Sequence, residues 1–192
     1  MRQKLVKLLI VSVYLFSFFA NAQDANQELK KPKEGKSLVY FVRSNSTGFA
    51  LNFRVYDKDK FLGQLVYKEY VVYECEPGQH LFWAASENRD FVEAELEPNK
   101  TYVIDVQGQM GAFIVGVSVV PLKPNNKQAQ KDLYKIVKNE KMIVYNPEVI
   151  NSVDKQENIM KGLEKYNELK EKKSNKIEVL SKDMNFENAN KI

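Results

Sequence analysis

The chain has 192 residues, of which 44% are apolar, enough for one domain of ordinary size with a hydrophobic core. Its 10 Tyr and 11 Phe favour strands over a Leu/Ala-rich helical bundle. The net charge of +4 does not mark a nucleic-acid binder: residues 37–122 carry seven Lys/Arg against eleven Asp/Glu, and the basic excess lies in the flanking segments.

Arg2, Lys4 and Lys7 precede an apolar stretch over residues 8–19, and Ala20-Asn21-Ala22 follows it. Basic residues, a short apolar run and an A-x-A site are what export and signal peptidase require. Residues 1–22 are therefore expected to be a signal peptide, with Ala20 and Ala22 as the recognition positions of the peptidase. The run is shorter than the ~20 residues of a spanning helix. No cysteine follows it, which excludes lipid attachment at that point. The expected product is exported, periplasmic or on the cell surface, with no transmembrane span after processing. Residues 23–36, with Lys30, Lys31, Pro32, Lys33, Glu34 and Gly35, have the composition of a linker.

From Ser37 the pattern changes to short apolar runs at period two. Leu38, Tyr40 and Val42 alternate with Val39, Phe41 and Arg43, and Leu51, Phe53 and Val55 with Asn52, Arg54 and Tyr56. Residues 61–66 and 71–75 continue the series. Pro77-Gly78 is a type II turn signature into the strand at 80–85. Val92, Ala94 and Leu96 alternate with Glu93, Glu95 and Glu97, which read as a solvated face. Tyr102, Ile104 and Val106 form the next strand, and residues 112–120 the last. About eight short strands with no helix between them predict an antiparallel β-sandwich over residues 37–122, Ig-like or transthyretin-like.

These motifs carry a resemblance. Leu38-Val39-Tyr40-Phe41-Val42-Arg43, the element from Val55 to Leu65 with Gly63, Pro77-Gly78-Gln79-His80 and the run from Leu96 to Tyr102 resemble the secreted bacterial domains grouped as domain-of-unknown-function 2846. The similarity to PEGA-type domains is looser. The resemblance spans residues 37 to 121. It implies a β-sandwich in an envelope-associated protein without established catalytic residues.

Beyond the strands, Ala129, Leu133, Ile136 and Val137 lie on one helical face, with Asn125 or Asn126 as the cap. A second helix is expected from Asn151 or Ser152, with Ile159, Met160, Leu163, Tyr166 and Leu169 on one side. Residues 123–172 are thus a helical extension, packed on the β domain or docked on a partner. Residues 173–192 have the composition of a disordered tail.

His80 and Cys75 are the sole residues of their types. A Cys–His pair needs a third, orienting group, so His80 is read as structural. Cys75 is read as core, the alternative being an intermolecular disulfide. Counting an EF-hand from Asp57 puts Leu62 and Lys68 where Gly and Glu are required, so calcium is excluded there. No phosphate-binding loop or hydrolase motif occurs. No enzyme activity, cofactor or metal is expected. Tyr70, Tyr73 and Trp83 are the candidate binding aromatics; they bind if they lie outside a sandwich and are core if they lie inside. The sequence therefore predicts a non-catalytic interaction module for an envelope protein, or alternatively a glycan- or peptidoglycan-binding module, with no nucleic-acid partner.

Overall fold

Ten strands, two α-helices and a short 3-10 helix (Lys182–Met184) are found among residues 29–111, 114–139, 141–143 and 153–186, the part of the chain described by a computed structural model. In chain order they are β1 (Ser37–Val42), β2 (Phe53–Asp57), β3 (Lys60–Leu65), β4 (Glu69–Cys75), β5 (Gly78–Ala85), β6 (Arg89–Leu96), β7 (Thr101–Met110), β8 (Val115–Pro121), α1 (Lys127–Asn139), β9 (Lys141–Ile143), α2 (Val153–Glu171) and β10 (Ile177–Leu180). One sheet has the order β8-β7-β1-β4-β9 and the other β10-β6-β5-β2-β3.

The two sheets share one interior, built as period-two alternation requires. Val39 and Phe41 of β1, Val71, Tyr73 and Cys75 of β4, and Tyr102, Ile104 and Val106 of β7 come from the first sheet. Phe53, Val55, Phe82, Ala84, Val92 and Ala94 meet them from the second. The residues between these point outward, yet all six residues of β1 are buried. The reason is a second apolar layer: Leu133, Ile136 and Val137 of α1 cover Leu38, Tyr40, Val42, Tyr70 and Val103. The helix begins where the Asn126 side-chain oxygen accepts the N–H groups of Gln128 and Ala129, both at 3.1 Å. The expected packing of the first helix on the strands is thus observed.

The outer face of the second sheet carries a third layer. Tyr56, Phe61, Trp83 and Phe91 meet Ile159, Tyr166 and Leu169 of α2. This helix ends in a Schellman motif: Ser174 N–H donates to Leu169 O at 2.9 Å and Lys173 N–H to Lys170 O at 3.0 Å, with Lys173 at φ 49°. β10 follows and lies along β6, Leu180 reaching the shared interior.

Two expectations are corrected. The sheets are mixed rather than antiparallel, because β1–β7, β4–β9 and β6–β10 pair in parallel. Alternation fixes which face a side chain takes and not the direction of the neighbouring strand. β1 and β7 are also not joined by a hairpin that would force antiparallel pairing. Residues 173–192, expected to be disordered, instead supply β10 and the buried Phe186. The signal-peptide positions and residues 187–192 lie outside the described residues.

Candidate functional site

Three features of this framework carry the chemistry. The first is a polar node between the sheets. Asp57 ends β2, Tyr73 lies on β4 and His80 on β5. His80 Nδ1 donates to Asp57 Oδ2 at 2.8 Å, and its Nε2 donates to the Glu76 carbonyl at 2.8 Å. The Tyr73 hydroxyl donates to the same Asp57 oxygen at 3.1 Å. A carboxylate and a carbonyl accept from the two ring nitrogens, so the ring is an imidazolium. Burial works against that charge. The bonds with Asp57 and Cys75, the Asp57 charge and the Glu76 carbonyl outweigh it, raising the pKa to about 10. Asp57 is the third group that a Cys–His pair needs, but with both nitrogens donating, His80 has no lone pair for the Cys75 thiol. The thiol itself is buried and lies 3.9 Å from the Ser37 carbonyl. The node ties the β2–β3 turn to the β4–β5 connection.

A pKa raised on folding stabilises the protein fully below the unfolded value near 6.5, and that contribution is lost as pH rises through about 10. His80→Gln is therefore expected to cost roughly 2 kcal/mol at pH 6. The gap to the wild type should close towards pH 10, as read by urea unfolding at each pH. A gap that is constant with pH counts against a charged ring.

The second feature is an aromatic row across β2, β5 and β6. Tyr56 stacks on Trp83 with centroids 3.9 Å apart and planes 9° from parallel, and Phe91 lies 6.0 Å beyond at 28°. Trp83 Nε1 donates to Lys58 O at 2.8 Å. α2 closes over the row because it has a glycine at the contact: a Cβ on Gly162 would lie 2.3 Å from Trp83 Cη2. Tyr166 donates its hydroxyl hydrogen bond to Glu93, and Lys170 pairs with the same carboxylate at 2.6 Å. Those two contacts hold the Glu93 carboxyl below its usual range. Gly162→Leu is expected to lift α2 and shift the emission of Trp83, the single tryptophan, to the red. Unchanged emission means that the helix is not seated by this glycine.

The candidate binding aromatics are thereby placed. Tyr70 and Tyr73 are three residues apart on one strand and take opposite faces. Tyr70 stacks near Tyr40, 6.2 Å away, beneath α1, and Tyr73 points into the shared interior. Trp83 belongs to the other sheet and lies beneath α2 with no exposed surface. The three do not form one surface, and the expectation of an exposed platform made from them is corrected.

The third feature was not singled out from sequence. At one pole of the sheets, Phe49 is 70% exposed, Met110 75% and Ile114 55%. Phe49 lies between β1 and β2, and the other two flank the tip of the β7–β8 hairpin. The Asn45 side chain joins these loops by a reciprocal pair of bonds with Gly108, both 2.9 Å. Gly108 allows the approach, since a Cβ there would lie 2.1 Å from the Thr47 carbonyl. Arg43, wholly buried, holds the first loop in place. Its guanidinium donates to the carbonyls of Gly48 (2.6 Å), Leu65 (3.1 Å), Thr47 (3.4 Å) and Leu51, and lies 3.9 Å over the Phe53 ring. The signal available in the sequence was that residues 106–122 carry no charged side chain.

Among the described residues, no group of three or more His, Cys, Asp or Glu could hold a metal ion, and no helix is long and apolar enough to cross a membrane. Fold and site together define a mainly β protein of two mixed five-stranded sheets with a helical C-terminal portion. No family model matches the chain, and no solved structure matches it. The chain is similar to an uncharacterized protein of Haemophilus influenzae, 27% identical over 104 residues. The match covers 52% of this chain and 61% of that protein, so the chain spans about three fifths of the length of that relative.

Proposed function

We propose that the protein is an exported, non-catalytic interaction module of the bacterial envelope, periplasmic or on the cell surface, and that it works by contact through the pole bearing Phe49, Met110 and Ile114. The exposure of these three side chains, on a loop pinned by Arg43 and on the hairpin that Asn45 joins to it, is the observation that carries this reading. An apolar side chain held out in water by a rigid loop is unfavourable unless something covers it. Both outer sheet faces have their own helix, and three of the five most exposed large apolar side chains among the described residues converge at this pole, the other two being Met160 on α2 and Val179 on β10. The basic-apolar-A-x-A leader and the resemblance of residues 37–121 to secreted domains support the location.

Two measurements test the proposal. Cell fractionation with N-terminal sequencing should find the protein outside the cytoplasm, beginning at Gln23. A photoreactive residue at position 49 or 110 should give defined adducts with envelope material, whereas one at the solvent-facing Glu95 should not. Retention in the cytosol with Met1 in place, or equal labelling from all three positions, rejects it.

A further inference from the structure

We infer that Asn88 and Asp90 guard the outer edge of β8: their side chains take the hydrogen-bonding positions that an added strand would use, and so keep this edge from pairing with β8 of a second copy of the chain. The inference is independent of the apolar pole.

β8 is the last strand of its sheet, with β7 on one side and no strand on the other. It reads Val115-Gly116-Val117-Ser118-Val119-Val120 before Pro121, and residues 106–122 carry no charged side chain. Edge strands commonly avoid pairing through a charge of their own. A valine-rich, uncharged strand has no such protection, and such segments are prone to stack on their own kind. A second copy is therefore the partner to be kept out. Two of these strands would meet without like-charge repulsion, β-branched side chain against β-branched side chain.

The protection comes from the start of β6 and the turn before it. Leu122 N–H donates to Val103 O of β7 at 2.9 Å, so by alternation positions 117, 119 and 121 direct their backbone groups away from β7. Val117 N–H donates to Asn88 Oδ1 at 2.6 Å, and Asn88 Nδ2 donates to Val117 O at 2.9 Å. That reciprocal pair is what one residue of an antiparallel neighbour would supply. Val119 N–H donates to Asp90 Oδ2 at 2.9 Å. Pro121, next in the alternation, has no N–H. Each outward donor from Val117 to Pro121 is thus taken or missing. Gly116 makes room for the first guard, since a Cβ there would lie 2.7 Å from Asn88 Oδ1.

Packing does not seal this edge. A cleft of about 1050 Å3 opens beside it towards α2, lined in part by Asn88, Asp90, Gln109, Val117 and Ser118. β10 pairs with β6 only from Phe91 onward and stops short of Asp90. The charges around the cleft, Glu87, Lys165 and Glu178 among them, stand on other elements, and among the described residues none of these three bonds the backbone of β8. A strand that displaced the two guards would find two donors, an acceptor and space.

The test uses residues 23–192, which include every described residue, as wild type and as the double variant Asn88→Ala, Asp90→Ala. In sedimentation velocity at rising concentration the wild type should be monomeric. The double variant should self-associate at least about tenfold more tightly. Asn88→Ala alone, at an exposed turn position, should do so to a smaller degree, and it decides the matter if the double variant does not fold. Ser118→Lys added to either variant puts like charges on the two bared edges and should return it to monomer. Association caused by general unfolding would not be reversed this way. Variants that stay monomeric overturn the inference. So does association that Ser118→Lys leaves unchanged, which runs through another surface, and so does a wild type that already associates as tightly as the variants.

Discussion

Arg43→Ala is expected to destabilise the fold by about 3–5 kcal/mol. The guanidinium is wholly shielded from water and serves the carbonyls of Thr47, Gly48, Leu51 and Leu65 while resting on the Phe53 ring. Alanine removes the guanidinium from all four carbonyls, of which Gly48 O keeps the Leu51 N–H at 2.8 Å, and opens a void above the ring. Each unsatisfied buried acceptor costs ~1–3 kcal/mol, discounted here because the loop relaxes and admits water. Domains of this size are stable by roughly 5–15 kcal/mol, so a large share of the folded state is at risk. Arg43→Lys should recover only part of the loss, since an ammonium is a compact charge without the planar fork that reaches four acceptors. Urea unfolding of both variants checks this. A loss below about 1 kcal/mol for alanine would mean that water already serves these carbonyls. A variant that folds but frees the loop should also lose the fixed presentation of Phe49, connecting this stability prediction to the proposed contact surface.

What the sequence conveyed, and where it stopped, follows from the range of each interaction. The alternation of Val92, Ala94 and Leu96 with Glu93, Glu95 and Glu97 is a local signal, and β6 has that arrangement. The Pro77-Gly78 turn is local too, and Gly78 has φ 115°. The cap at Asn126 needed only its own neighbours. Strand direction is different. β1 has β4 on one side and β7 on the other, antiparallel and parallel, and nothing within Ser37–Val42 distinguishes the two edges. His80 could be placed at its turn, but its partner Asp57 is 23 residues away on another strand, so the charged state of the ring was beyond local reading.

The aromatics show the same limit at the level of faces. Alternation correctly groups Tyr73 with Val71 and Cys75, and Trp83 with Leu81 and Ala85. Whether an outward face is wet depends on what covers it, and that is decided by α1 and α2, separated from those strands by tens of residues. Gly162 shows how much one position can decide. In sequence it is an unfavourable residue in a helix; in the structure it is the gap that admits the Trp83 ring. Phe49 and Ile114 went unremarked for the opposite reason. Single apolar residues in loops are common, and only their convergence at one pole gives them meaning.

Truncation after Ser174 should be as damaging as the loss of Arg43. The composition of residues 173–192, rich in Lys, Asn and Ser, reads as disorder, and a disordered tail can be removed at no cost. In the structure the segment supplies two anchors. Leu180 is fully buried in the shared interior, and Phe186, 4% exposed, closes the layer beneath α1, where its N–H donates to Thr101 O at 2.7 Å. Burying side chains of this size contributes ~1.5–3 kcal/mol each, so removing both should cost about 3–6 kcal/mol. The deletion also strips β10 from β6, baring the edge from Phe91 to Ala94 and leaving α2 tied to the body only by its own contacts. A bare edge is a template for pairing with a second chain, so aggregation should accompany the lower melting temperature. Leu180→Asp in the intact chain separates the two effects: it places a carboxylate in the interior while leaving the edge residues in the sequence, and should destabilise with less aggregation. If the truncated chain melts within a degree or two of the full one, β10 is not part of the stable fold, and the coverage of the second sheet by α2 must then rest on the Gly162–Trp83 contact and the Glu93 bonds alone.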